Sequence, residues 1–436
     1  MSVPRRGFLA RTGLVLAASA SAACRLSETH PVPVRSPAGE WEGIRGEFEA
    51  SSELTDLSAL LIASHPRIVR DAIERYRKEI DRQPTLFLQR HNRRLQADAR
   101  KAAARYLAAH PDDIALTDST TMGLALLYSG LRLGRGDEVL TTTADYYATH
   151  ESLRAAAART GARIRKIHLY DHGDDVSAGE LVDRIVREIG RDTRAVALTW
   201  VHSSTGLKLP VRAVSDAIVG VNRTRPESRR VLLCVDGVHG FGVEDESVES
   251  LGADFLAAGC HKWLFGPRGT GILWGRREAW AAVRPTIPSF VDGSAWEAWM
   301  EGEEPPGPST ASRITPGGFK PFEHVWAVRE AFEFHLNIGK SKIAQRTHAL
   351  ARQLKEGLSQ MGHVRLITPM SSGLSSGIVC FDVEGLTPPT AVERLLQHGI
   401  VATFTPYAQA HVRLTPCIRN TEEEIETALR AVAGLA

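Results

Sequence analysis

Between residue 65 and about residue 275, short apolar runs alternate with stretches in which apolar side chains recur every three or four positions. The first pattern suits strands and the second suits helices with one buried face. Their alternation predicts an α/β fold with a mainly parallel sheet. The predicted strands are 114–117, 138–141, 163–167, 195–199, 231–235 and 271–274, with helices such as 65–82 and 177–188 between them. Around residues 300–320 glycine and proline become frequent, as in Glu303-Glu304-Pro305-Pro306-Gly307-Pro308 and Thr315-Pro316-Gly317-Gly318, which marks a loop and a change of domain. Helices over 322–339 and 342–361, strands over 377–383 and 410–414, and a helix start at Asn420 then make a smaller C-terminal α+β domain. The expected division is an N-terminal segment with the large domain over 41–320 and the small domain over 321–436, as a chain of 436 residues favours.

The opening residues break this pattern. Arg5-Arg6-Gly7-Phe8-Leu9 precedes the apolar run from Gly13 to Ala18 and the small residues Ser19 to Ala23. That order reads as an export signal over residues 1–24, either of the twin-arginine type that carries folded proteins or an ordinary Sec signal with two arginines. The apolar run is too short to persist as a membrane-spanning helix. Cys24 after Ala-Ala also allows a lipid anchor, although Ser21 stands where such sites prefer Leu. Residues 25–40, with three prolines, read as a linker, and the expected location is periplasmic or otherwise extracytoplasmic.

Lys plus Arg (53) nearly cancels Asp plus Glu (51), and no basic block stands out after the signal, so no nucleic-acid or anionic-membrane partner is expected. Cys234, Cys260, Cys380 and Cys417 remain beyond the signal. Cys234 and Cys380 lie in strand-like runs, where buried free thiols are commoner than bridges. No Cys or His spacing has the form of a zinc site, so no metal is expected.

The densest chemistry lies in Ala257-Ala258-Gly259-Cys260-His261-Lys262-Trp263-Leu264-Phe265-Gly266-Pro267-Arg268-Gly269-Thr270-Gly271. A lysine flanked by Cys, His and Trp among glycines differs from a solvated loop lysine. Desolvation lowers its pKa toward a nucleophilic amine, which suits Schiff-base formation. Asp236 ends the 231–235 run, where a strand-end carboxylate faces the crevice in which α/β proteins bind ligands; it can partner a pyridine nitrogen or cap its own turn. His239, three residues on, either bonds a cofactor oxygen or fills the pocket wall. Asp118-Ser119-Thr120-Thr121-Met122-Gly123 joins a strand to a helix beginning near Met122 and makes an anion cradle or an ordinary Ser/Thr cap. Tyr146 and Tyr147 offer rings to stack on a planar cofactor.

Together these pieces resemble the class V aminotransferases of fold-type I, which use pyridoxal 5'-phosphate (PLP), and most of all the isopenicillin N epimerase-like branch. The resemblance spans roughly residues 60–436, and His261-Lys262-Trp263 with Gly266-Pro267 is its most specific part. It implies Lys262 as the Schiff-base lysine and proton shuttle, Asp236 as the pyridinium partner and His239 near the phenolic oxygen. It further implies Thr120, Thr121 and His261 on the phosphate, and Tyr146 or Tyr147 as the stacking ring. Ser203 falls where many members carry an Asn near the cofactor. Arg413 matches the arginine that clamps the substrate carboxylate. Thr315-Pro316-Gly317-Gly318-Phe319 loosely matches a segment that relatives bring to a neighbouring subunit's phosphate, and a homodimer is implied by the same resemblance.

The resemblance implies an enzyme acting at the Cα-amino group of an amino acid or a peptide-linked one, by amine removal or oxidative decarboxylation. A plain aminotransferase, an epimerase or a C–S lyase is the alternative. Cys380 and Cys417, outside any long polar loop, do not resemble the persulfide carriers of desulfurases. The combination of export with PLP is similar to periplasmic enzymes that tailor peptide siderophores, including the pyoverdine-tailoring type, which acts on a glutamate residue of the peptide. A catalytically inactive envelope scaffold is the non-enzyme alternative, against which the retention of both Lys262 and Asp236 speaks.

Overall fold

The computed structural model describes residues 39–49, 53–171 and 176–436. The export signal, the possible anchor at Cys24 and all but the end of the linker fall outside them. The described chain begins with Glu40–Arg45 (α1), Thr55–Asp56 (β1) and two long helices, Arg67–Arg82 (α2) and Pro84–Leu107 (α3). Next come Ile114–Thr117 (β2), Thr120–Gly130 (α4), Glu138–Thr142 (β3), Tyr147–Thr160 (α5), Arg163–Ile167 (β4), Ala178–Arg187 (α6), Thr193–Thr199 (β5) and Val211–Asn222 (α7). Leu232–Asp236 (β6), Val248–Leu251 (α8), Phe255–Gly259 (β7) and Gly271–Gly275 (β8) complete the first sheet.

That sheet has the order β2-β8-β7-β6-β5-β3-β4. β8 is antiparallel to both of its neighbours, and every other pairing is parallel. The fold is therefore α/β with a mainly parallel sheet, as expected. Residues of β2, β7 and β8 are buried at every position, which accounts for largely apolar runs in place of alternation.

Gly293–Glu301 (α9), Ala311–Ile314 (α10), Phe322–Ile338 (α11) and Lys340–Ser359 (α12) follow, and α11 packs on α2 and α3. Val364–Leu366 (β9), Val379–Val383 (β10), Pro388–Gln397 (α13), Ile400–Val401 (β11), Thr403–Phe404 (β12), Val412–Leu414 (β13) and Glu422–Ala433 (α14) complete the chain. Here β12-β13-β10-β9 form an antiparallel sheet. β1 pairs in parallel with β11, which joins the N-terminal segment to the C-terminal part.

Three local expectations are corrected. Residues 255–259 form a strand although the sequence run Phe-Leu-Ala-Ala-Gly lacks β-branched residues. Small side chains are needed there, because a Cβ on Gly123 of α4 would already lie 3.2 Å from Ala257 Cβ. α4 starts at Thr120 rather than Met122, since the Ser119 hydroxyl accepts the Met122 N–H at 3.1 Å and caps the helix two residues earlier. The last helix starts at Glu422 rather than at Asn420: Thr421 and Glu424 form a reciprocal capping box, while Asn420 Nδ2 donates to Asp56 O at 3.1 Å.

Candidate active site

β2, β3, β5, β6 and β7 all point the same way, so their C-terminal ends share one edge of the sheet, where open α/β sheets place ligands. Thr120 and Thr121 follow β2, Tyr146 follows β3, Ser203 follows β5, Asp236 ends β6 with His239 just beyond, and Lys262 follows β7. Arg413 arrives from β13 of the other sheet. All of these residues line one cavity of about 100 Å³, with Thr199, Leu61 and Pro406 completing parts of its wall. Tyr147 does not: it opens α5 with 70 % of its surface exposed.

The Lys262 turn is closed by its own ends. Cys260 N–H donates to Thr270 O at 2.9 Å and Gly266 N–H to Cys260 O at 2.8 Å. Phe265, buried, holds a left-handed φ of 56°, an unusual state for a residue with a Cβ. Its ring packs edge-on against Phe48 with centroids 5.1 Å apart. Across the turn, Gly242 has φ 90°, and a Cβ there would meet the Leu264 nitrogen at 2.7 Å, so glycine alone lets the two loops approach.

Lys262 Nζ has no hydrogen-bond or ion-pair partner among the described residues. Burial lowers its pKa to about 8, against the raising influence of Asp236. Burial pushes the Asp236 carboxyl up to about 7, with Val238 and Lys262 opposing. Its Oδ1 accepts the Val238 N–H at 3.1 Å, so the aspartate caps its own turn and also lines the cavity. His239 accepts the Trp263 indole N–H on Nδ1 at 3.2 Å. Burial, with Lys262 and Arg413 nearby, holds it well below its ordinary pKa, so the ring is neutral and carries its proton on Nε2.

Beside the start of α4, Thr120 Oγ1 and His261 Nδ1 are buried without hydrogen-bond partners among the described residues. Both flank Gly259, where a Cβ would come within 3.0 Å of His261 Cε1 and 3.2 Å of Thr120 Oγ1. His261 itself does not line the cavity, but its orphan nitrogen and the free N–H groups of the helix start suit an anion. An uncommitted lysine, a strand-end carboxylate and an anion cradle at one sheet edge fit PLP. Among the described residues no cluster of three or more His, Cys, Asp or Glu side chains is arranged for a metal, and no helix is long and apolar enough to cross a membrane.

Arg413 is buried and pairs with no carboxylate among the described residues. Its Nε donates to Thr403 Oγ1 at 3.0 Å, one terminal nitrogen to Ser203 O at 2.8 Å and the other to Phe404 O at 3.5 Å. The Ser203 hydroxyl is bonded to the Tyr407 hydroxyl at 2.8 Å, and the Tyr407 ring stands edge-on to Tyr146 at 6.1 Å. Tyr407 and Thr199, whose Oγ1 is another buried atom without a partner, escape the sequence reading. The only signals are an aromatic after Pro406 and a threonine at a strand end. Asp145, next to Tyr146, is structural: it accepts from Thr141 Oγ1 at 2.8 Å, Thr142 N at 2.7 Å and Thr199 N at 2.6 Å, tying β3 to β5.

Thr315 to Phe319 line a second cavity of about 260 Å³ with Thr117 and Lys320, and Lys320 pairs with Asp118 at 3.1 Å. The four cysteines Cys234, Cys260, Cys380 and Cys417 are free and buried. Burial pushes the Cys380 thiol up to about 12.

The family model for aminotransferase class-V matches residues 63–427. Isopenicillin N epimerase of Streptomyces clavuligerus is 27% identical over 413 residues, covering 91% of this chain and 98% of that protein. A probable cysteine desulfurase of Aeropyrum pernix is 30% identical over 328 residues, 72% of this chain and 74% of the relative. Among solved structures, a mutant of C-DES with glycine covalently linked to its PLP cofactor superposes with a TM-score of 0.79 at 23% identity, covering 89% of this chain and 98% of that one. The cystine C–S lyase C-DES with its product cysteine persulfide gives 0.78 at 23% identity, covering 88% and 98%. At that identity the likeness speaks for the fold.

Proposed function

The chain belongs to the aminotransferase class-V family, and from that premise we propose that it is a PLP-dependent enzyme acting at the amino-bearing carbon of an amino acid or of a residue within a larger molecule. The observation that carries this reading is the uncommitted, half-buried Lys262, which lines the same cavity as Asp236 and whose pKa desolvation lowers to about 8. PLP, when bound, supplies an aldehyde that an amine can attack and a cationic ring that accepts electron density from the substrate carbon.

Lys262 would hold the aldehyde carbon and afterwards move the proton at Cα. Asp236 would keep the ring nitrogen protonated, His239 would donate from Nε2 to the ring oxygen, and Thr120, Thr121 and His261 would take the phosphate. Tyr146 is the aromatic at the cavity wall. Arg413, which pairs with no carboxylate among the described residues, would take that of the substrate. Leu61 and Tyr146 line the cavity and are also 51% and 39% exposed, an openness at the mouth that supports a substrate amino acid carried on something larger.

Amine removal or oxidative decarboxylation is the reaction we favour. Epimerisation is the second reading, supported by the similarity to an epimerase over 91% of the chain. Desulfuration by a protein persulfide is disfavoured, because Cys380 and Cys417 are buried and burial raises the pKa of both thiols. Export by the twin-arginine route, proposed from the leading residues, accords with a protein that folds around a cofactor.

The test is the visible absorbance of purified protein with PLP before and after borohydride, then mapping of the reduced adduct. A borohydride-sensitive band with the adduct on Lys262, absent from Lys262→Ala, supports the proposal. A protein that takes up no PLP overturns it.

A further inference from the structure

β4 ends the seven-stranded sheet and pairs with β3 alone. Arg163 N–H donates to Asp137 O at 2.8 Å and Ile167 O accepts from Thr143 N–H at 2.9 Å, so the odd-numbered residues of β4 turn their backbone groups toward β3. Ile164 and Lys166 turn theirs outward, and among the described residues nothing hydrogen-bonds to them there. An edge of this kind is a template on which a further extended chain can pair.

Alongside it, Arg165, Lys166 and His168 form a groove of about 490 Å³ with Arg184, Arg187 and Glu188 at the end of α6. Glu188 and Glu138 are both committed to Arg165. Lys166, Arg184 and Arg187 meet no carboxylate among the described residues: Arg184 donates to Leu169 O at 2.6 Å, and Arg187 to Asp183 O of its own helix at 3.2 Å. Lysine on an edge strand is a common guard against pairing with another copy. That guard leaves the two arginines unexplained, since they stand on a helix and carry the charge away from the strand into a groove. The unpaired backbone suits an extended chain, and the three cations suit carboxylates on it. A second copy offering the same edge would bring like charges and be repelled.

We propose that the β4 edge docks an extended acidic peptide, a Glu- or Asp-rich segment of a partner protein, which adds an eighth strand to the sheet and lays its carboxylates against Lys166, Arg184 and Arg187. None of these residues lines the cavity that holds Lys262, so the surface is separate from the lysine site.

The test measures the fluorescence anisotropy of a labelled peptide of alternating Glu and Val added to the full chain, with a Lys–Val peptide as control. The Glu–Val peptide should bind and the Lys–Val peptide should not. Lys166→Glu and Arg187→Glu should each raise Kd by about tenfold or more, as expected when a charge-assisted contact becomes a repulsion. Circular dichroism and thermal unfolding should stay as in the wild type, because both side chains are exposed. Strand addition has a further mark that attraction between charges lacks. In an extended peptide alternate N–H groups point to opposite sides, so N-methylation of the Glu residues and N-methylation of the Val residues should differ, one abolishing binding and the other sparing it. Failure of the Glu–Val peptide to bind, equal binding of the two N-methylated forms, or an unchanged Kd in both charge reversals would overturn the proposal. A wild-type dimer that dissociates on Lys166→Glu would also overturn it, by giving the edge to a second copy.

Discussion

The indole N–H of Trp263 donates to His239 Nδ1 at 3.2 Å and so determines which nitrogen of that imidazole carries the proton. Trp263 is the immediate neighbour of Lys262, so one turn of chain supplies the amine and also orients the histidine opposite. Trp263→Phe keeps an aromatic ring but leaves a buried Nδ1 without its donor. The expected cost is about 1–2 kcal/mol in denaturant titration, together with a shifted visible band in the PLP-loaded protein.

Only a neutral amine attacks an aldehyde. With Lys262 at about 8, the rate of PLP capture by the cofactor-free protein should climb with pH and level off above about 8, well short of the ordinary lysine value of 10.5. Asp236 raises the lysine's pKa, so Asp236→Asn should move that midpoint to lower pH. Stopped-flow absorbance over pH 6 to 10 would check both directions.

Thr120 Oγ1 and His261 Nδ1 are orphans that an anion would satisfy. Inorganic phosphate should therefore slow PLP capture in the wild type. Thr120→Val and His261→Ala should each weaken PLP retention by roughly tenfold and blunt the competition by phosphate, as measured by dialysis against increasing phosphate.

Away from the cavity, buried Glu244 ties three distant segments together: it accepts from Lys208 Nζ at 2.8 Å, from His348 Nε2 at 2.8 Å and from Ser376 Oγ. Burial alone would push its carboxyl up, but His348 and Lys208 outweigh burial and hold it at about 2, below the ordinary 4.5. A depressed carboxyl stabilises the fold above its unfolded value and loses that contribution as pH falls from about 4.5 toward 2. The amount is on the order of 3 kcal/mol. Glu244→Gln should thus be much less stable than wild type at pH 7, and the gap should close as the pH approaches 2, which urea titrations at several pH values would show.

Features with a local cause are legible in the chain, and features whose cause is distant are not. The strand over 114–117 can be read to the residue because its apolar run is bounded by polar residues on both sides. Strand ends are local signals too, which is why Thr120, Asp236 and Lys262 can be named without knowledge of their common edge. The strand over 255–259 escapes because its small residues answer to helix α4 packed against it rather than to β-propensity. Tyr407 escapes for a similar reason: its place in the site comes from its bond to Ser203, which is about two hundred residues away in the chain, and no spacing rule connects them. Tyr146 and Tyr147 cannot be separated by composition, and only the start of α5 sets one at the cavity wall and the other away from it.

The ring of Phe265, three positions past Lys262, leans on Phe48, which precedes the whole sheet in the chain. A left-handed Phe keeps its conformation only while surrounding packing compensates, and part of that packing comes from the first few described residues. This sets a practical limit on shortening the protein for expression or crystallisation. A start codon placed beyond Phe48 would spare every residue that lines the cavity and still loosen the turn on which the lysine stands.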